Sequence, residues 1–250
     1  MHAERLKRLY TAMLKCRELD EGSRMEARGY ASGRGLEAII SGVAIHLRQE
    51  DLVAPSAYEY LVRSVQCAPR QPSASNSTRA GSENGPTGSG SNQLCLAAGM
   101  ALACKLMGKP GVTLCLSNME NGADFWRDAV SFASQGKLPV VFVVAHSPGE
   151  SQNAFGDLRN QVQELLPAIA VDGTDVVAVY RVAEESTRRA RQGLGPSLME
   201  CRLEPGRDPL LFMESYLKAR SLWSDGWKQE LTQNSARHLR PAQKSNRKAV

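Results

Sequence analysis

Aromatic residues make up only 6% of this 250-residue chain, and there are four histidines. Apolar residues never run on for the roughly 18–20 positions that a membrane span requires, so a helical membrane protein is excluded. The chain begins on a charged helical pattern, from which no secretory signal is expected and the cytoplasm is the expected compartment. There is no CxxC and no Cys/His cluster, which argues against a zinc ribbon or a dithiol redox motif. The six cysteines (16, 67, 95, 104, 115 and 201) are scattered; most sit on apolar faces and read as buried free thiols. Net charge is only +5, and the last 14 residues hold five Lys/Arg and no acid. That end reads as a solubilising, disordered tail rather than a nucleic-acid arm. A hydrophobic content of 42% with 23% charged residues leaves one soluble domain with a full core.

The organising stretch is 112–147, VTLCLSNMENGADFWRDAVSFASQGKLPVVFVVAHS. The runs 112–116 and 140–145 are short, β-branched and free of charge, as strands covered on both faces are. Between them Phe125, Trp126, Ala129, Val130 and Ala133 recur at helical spacing. This is a β-α-β unit, whose strands are parallel and joined by a right-handed crossover. Ligands in such sheets bind beyond the carboxyl ends of the strands. The default site is therefore residues 117–121 together with 146–149.

On either side, Leu6, Leu9, Tyr10, Met13 and Leu14 mark a first helix. Leu36, Ile39, Ile40, Val43, Ala44 and Leu47 mark a second. DLVAPS (51–56) reads as a short strand closed by proline, and 58–65 as a helical turn or two. Residues 69–90 have no aliphatic side chain larger than alanine and cannot offset their ordering entropy. The chain therefore divides into a domain over 1–230, interrupted by a disordered loop at 69–92, and a basic tail at 231–250. LCLAAGMALACKLMG (94–108) reads as a buried, small-residue helix packed on the sheet. DGTD (172–175) offers turn and N-cap groups for a helix from Val176. SLMECRL (197–203) is the last strand, and 207–222 the last helix. Strand and helix alternate from 112 to 203, which gives a parallel α/β sheet.

Several of these segments, taken in order, resemble the α subunit of the thiamine-diphosphate-dependent decarboxylating component of 2-oxo acid dehydrogenase complexes (pyruvate, branched-chain and acetoin types). They are GLEA (35–38), EDLVAPS (50–56), QLCLAAGMALACK (93–105), VTLCL, KLPVVFVV (137–144), VDGTDVVAVY (171–180), GPSLMEC (195–201) and RDPLLFMESYLKARSLWS (207–224). The likeness spans about residues 4–230 and fails in the 69–90 loop. It implies the thiamine-diphosphate-binding fold, a parallel sheet flanked by helices on both faces. It also implies a site shared with a β subunit, which supplies the activating glutamate while the α subunit grips Mg²⁺ and the diphosphate.

The grip is where this chain departs from the resemblance. The metal motif GDG falls on Ser117, Asn118 and Met119, and the paired asparagines fall on His146 and Ser147. The loops keep their spacing but not their donors. Mg²⁺ wants charged or strongly dipolar oxygen; Asn118 offers an amide, Ser147 a hydroxyl, and Gly149 stands where a tyrosine carbonyl is expected. The Tyr-Arg and histidine that contact the diphosphate fall on Ala57, Tyr58 and Tyr60. GGQ becomes Ser91-Asn92-Gln93, which keeps the glutamine alone. The loop bearing a catalytic histidine is reduced to RLEPG (202–206).

On the resemblance, the cofactor positions are thus Tyr58, Gln93, Asn118, Glu120 and Ser147, and the metal positions Asn118, Ser147 and Gly149. No catalytic residue is assigned. Some readings stay open. Glu120 could replace the missing metal carboxylate. Tyr58 and Tyr60 could stack on a ligand or pack at an interface. His146 invites a catalytic role but reads first as a polar loop residue. Asp124 and Asp128 read first as a solvated helix face. The expected protein is a non-catalytic or strongly impaired α-subunit homologue. It would bind thiamine diphosphate and Mg²⁺ weakly or not at all, and pair with a β-type subunit or with itself. The alternatives are an active enzyme with a rewired metal site and a module that binds another anion in the vacated cleft.

Overall fold

Five short apolar segments form one sheet in the computed structural model, which describes residues 1–22, 32–66, 90–118, 126–146 and 158–233. The strands are β1 (Leu52–Val53), β2 (Thr113–Asn118), β3 (Val140–His146), β4 (Ala168–Asp172) and β5 (Ser197–Arg202). All pair parallel, in the order β1-β2-β3-β5-β4. The fold class expected from the sequence, a parallel α/β sheet flanked on both faces, is the one found.

Side chains alternate along a strand, and the two faces of the sheet therefore build separate cores. Leu114, Leu116, Val141, Val143, Ala145, Met199 and Cys201 point one way. They pack under α1 (Ala3–Gly22), α2 (Glu37–Ala44), α3 (Glu59–Val65) and α7 (Val176–Arg191). Cys115, Val140, Phe142, Val144 and Leu198 point the other way, under α4 (Gly90–Leu106), α5 (Trp126–Gln135) and α6 (Leu158–Val162). A further apolar cluster lays α8 (Pro209–Ala219) and the indoles of Trp223 and Trp227 against α1 and α7.

Local chemistry sets the helix limits. Asp175 caps α7 by accepting from the backbone N–H of Val177 and Ala178, as the DGTD reading expects. Gly193, at φ +71°, follows the end of that helix. All eight residues of α2 are buried, and it meets α7 through Gly42. A methyl group placed there would lie 2.6 Å from Cγ1 of Val179.

Two expectations need correction. Helix α4 begins at Gly90, inside the loop expected to run to 92. Its first turn is Gly-Ser-Asn, which suits a helix start but carries no apolar periodicity. The same helix is buried on one face only: Leu94, Ala97, Ala98 and Ala101 are covered, while Leu96 is 48% and Leu106 78% exposed. Apolar composition alone did not tell which side meets the sheet. Most of the described cysteines are buried, as expected: Cys16, Cys104, Cys115 and Cys201 are buried and Cys95 is exposed, while Cys67 lies outside the described residues. Beyond α8, helix also spans 225–233. Trp227 packs on Tyr10, and Lys228 donates to Glu214 at 2.6 Å, so the segment has tertiary anchors. The rest of the tail is outside the described residues, as is most of the 69–92 loop.

Candidate functional site

Strand register defines the carboxyl edge. Asn118, the last residue of β2, pairs with Ala145, and His146 of β3 is level with Arg202 of β5. By alternation His146 continues the face of Phe142 and Val144, and Glu200 and Arg202 continue the face of Leu198. Three ionisable groups thus meet on one face at the ends of two central strands. His146 Nε2 lies 3.2 Å from Glu200 Oε1, and Arg202 Nη2 donates to Glu200 Oε2 at 3.0 Å. Glu200 is 2% exposed. Burial alone would raise its carboxyl pKa, but the contacts from His146 and Arg202 prevail and hold it below the usual range.

The sequence reading missed this cluster. It treated His146 as a loop residue, whereas the structure makes it the last residue of β3. Its partner is 54 positions away, a separation no local pattern bridges. The available signal was Glu200 itself, a lone carboxylate inside the apolar run SLMEC.

The residues singled out from the sequence fare unequally. Glu120, Ser147 and Gly149 lie outside the described residues, and only the backbone of Asn118 is described. Tyr58 is 5% exposed and belongs to the core between the sheet and the α1/α2/α7 layer; Tyr60 packs against the same cluster. Gln93 is buried in the second turn of α4. Its carbonyl accepts from the Cys115 thiol at 3.7 Å, and its Oε1 has no hydrogen-bond partner among the described residues.

The donor set tests whether Mg²⁺ fits. Among the described residues no three of His, Cys, Asp and Glu converge. The buried carboxylate at this edge already faces an imidazole and a guanidinium. Mg²⁺ demands near-octahedral oxygen ligation, and an imidazole is a poor substitute. The described residues do not fit it.

A groove of about 640 Å³ lies at the other end of the molecule, between Ile45–Arg48 and the last turns of α7. Its arginines are committed: Arg191 pairs with the buried Asp51 and Arg188 with Glu185. They also stand at a helix C-terminus, where cations offset the carbonyl ends. That arrangement accounts for the groove without a ligand. No helix among the described residues is long and apolar enough to cross a membrane.

Comparison with known proteins supplies the remaining observations. A family model described as dehydrogenase E1 component matches residues 7–204. The α subunit of acetoin:2,6-dichlorophenolindophenol oxidoreductase from Cupriavidus necator is 36% identical over 130 residues, covering 48% of this chain and 38% of that protein. The 3-methyl-2-oxobutanoate dehydrogenase α subunit of Mycobacterium tuberculosis is 28% identical over 298 aligned positions, covering 95% of this chain and 77% of the relative. The chain thus matches well under half the length of the first relative and about three quarters of the second. Benzoylformate decarboxylase from Polynucleobacter necessarius superposes with a TM-score of 0.46 at 15% identity, over 68% of this chain and 33% of that one.

Proposed function

The chain belongs to the dehydrogenase E1 component family, and from that premise we propose that it is a non-catalytic or strongly impaired homologue of the 2-oxo acid dehydrogenase α subunit. It keeps the α/β scaffold and an assembly role, pairing with a β-type subunit or with a second copy of itself. It binds thiamine diphosphate and Mg²⁺ weakly or not at all. One observation carries this reading. Strands β2 and β3 remain in register up to Asn118 and Ala145, while the groups at and beyond their ends read Asn118, Met119, His146 and Ser147 in place of aspartate, glycine and two asparagines. The frame for a metal–diphosphate grip is present and its oxygen donors are exchanged. Single-domain organisation over 1–230 belongs to the same proposal.

Calorimetry tests it. Thiamine diphosphate with Mg²⁺, titrated into the chain together with a β-type subunit, is expected to give no saturable heat. Micromolar, Mg²⁺-dependent binding would overturn the reading.

The competing reading, an active decarboxylating enzyme with a rewired metal site at Asn118, Glu120 or a backbone oxygen, draws on Gln93. That residue is retained, and its buried Oε1 has no hydrogen-bond partner among the described residues. Turnover of a 2-oxo acid by the assembled complex would favour it.

A further inference from the structure

Gly99 stands in the middle of α4 with no reason for a glycine inside the chain. A mid-helix glycine costs roughly 1 kcal/mol relative to alanine. Yet among the described residues nothing lies within 4 Å of the position a Cβ would take there. Gly99 is exposed, and so are Cys95 and Ala103, one turn before it and one turn after. A small residue at every fourth position lets two helix backbones approach closely. By helical spacing the same side carries the exposed Leu96 and Leu106, with the exposed Met107 just past the helix end. No charged residue occurs from Gly90 to Cys104. Contiguous exposed apolar surface of this kind marks an interaction face.

We propose that this face binds a second copy of the chain, α4 crossing α4 antiparallel about a twofold axis at Gly99. The pattern of side chains selects that occupant. A twofold contact uses one patch on both copies, so the patch has to complement itself. About Gly99 it does: small residues stand four positions to either side (Cys95 and Ala103), and leucines three positions to either side (Leu96 and the half-buried Leu102). An antiparallel crossing therefore sets Cys95 against Ala103, Leu96 against Leu102 and glycine against glycine. A net charge of +5 makes copies repel in general, but on this face no like charges meet. Lys105, the first charge along it, is turned to the Gly136 carbonyl. One helix crossing buries less than the roughly 800 Å² per partner of a standard interface, so the dimer is weak, with a Kd in the micromolar range. The inference rests on the assembly role proposed above and chooses between its two partners.

Sedimentation equilibrium of the full chain across the micromolar range is expected to show a monomer–dimer equilibrium. Leu96→Glu and Ala103→Glu should each raise the dimer Kd at least ten-fold, with far-UV circular dichroism showing each variant folded. With Cys95→Ser removing the exposed thiol, Gly99→Cys should give a disulfide-linked dimer under mild oxidation, because the twofold axis brings the two new thiols together. Ala3→Cys, on the helix layer across the sheet, should not. A monomer throughout the range, a Kd change below ten-fold in either glutamate variant, or no more cross-linking at position 99 than at position 3 would overturn the proposal. So would a chain that stays monomeric alone and takes up a β-type subunit on this face. That outcome leaves the functional reading standing, whereas saturable binding of thiamine diphosphate by calorimetry removes that reading and leaves the dimer.

Discussion

Arg17 on α1 grips Glu37, a carboxylate with no exposed surface at the start of α2, through Nε and Nη2, each 2.8 Å from Oε1. Its Nη1 reaches Asp208 at 2.7 Å, and Asp208 in turn caps α8. Burial prevails over the arginine and leaves the Glu37 carboxyl above its usual range. Truncating one partner strands a buried charge, at a cost of about 3–5 kcal/mol. Arg17→Met should therefore lose about that much in urea unfolding. The double variant Arg17→Met/Glu37→Gln should recover part of the loss, and failure to recover would remove the ion pair from the explanation.

Histidine 46 makes stability depend on pH. Burial lowers its pKa to about 4, against the pull of a 2.9 Å contact with the Tyr180 carbonyl. Because the folded value lies below the unfolded one of about 6.5, the unfolded chain binds the proton more readily. Its contribution is complete above pH 6.5 and is lost as pH falls toward 4. The loss is roughly 2 kcal/mol by pH 5. Urea midpoints at pH 7.5 and 5 should differ in the wild type by that much more than in His46→Gln, since the remaining groups titrate in both.

Gly42 sets the spacing of α2 and α7. A methyl group there would stand 2.6 Å from Val179 Cγ1 and 3.2 Å from the Tyr180 backbone nitrogen. Gly42→Ala should lower stability by about 1–3 kcal/mol through overpacking, despite alanine's better helix propensity. Adding Val179→Ala should relieve the clash and make the two changes non-additive. Strict additivity in thermal melts would count against direct contact.

Charge-assisted contacts are worth about 1.5–3 kcal/mol each. If, as proposed, an aspartate and an arginine of the diphosphate grip are lost, together they represent about 3–6 kcal/mol, or on the order of 100- to 10,000-fold in affinity. Asn118→Asp combined with Ser147→Asn should regain Mg²⁺-dependent binding of thiamine diphosphate by calorimetry, to within the remaining arginine deficit. No gain in a folded variant would mean that more than the donors has changed.

How much the sequence revealed depended on the range of the interaction. Strands β2 and β3 were legible because their apolar runs are continuous, and α7 because Asp175 sits where a cap belongs. The exposed side of α4 was not legible. Its small and apolar residues surround the helix, and only contact with the sheet distinguishes Ala98 from Leu96. The His146–Glu200 contact was not legible either, since two strands must assemble before the residues meet. For Glu120, Ser147 and Gly149 the sequence reading stands by itself, because these residues lie outside the described structure.

Strand β3 leaves little room for drift. Each residue from Val140 to Ala145 is covered by one core or the other, so a polar change at any of them would bury an unsatisfied group. Its final residue, His146, keeps contact with solvent. A lineage diverging on this scaffold can therefore rewrite the chemistry at the rim of the sheet while the centre is held to aliphatic and small side chains, and new specificities should accumulate at that rim first.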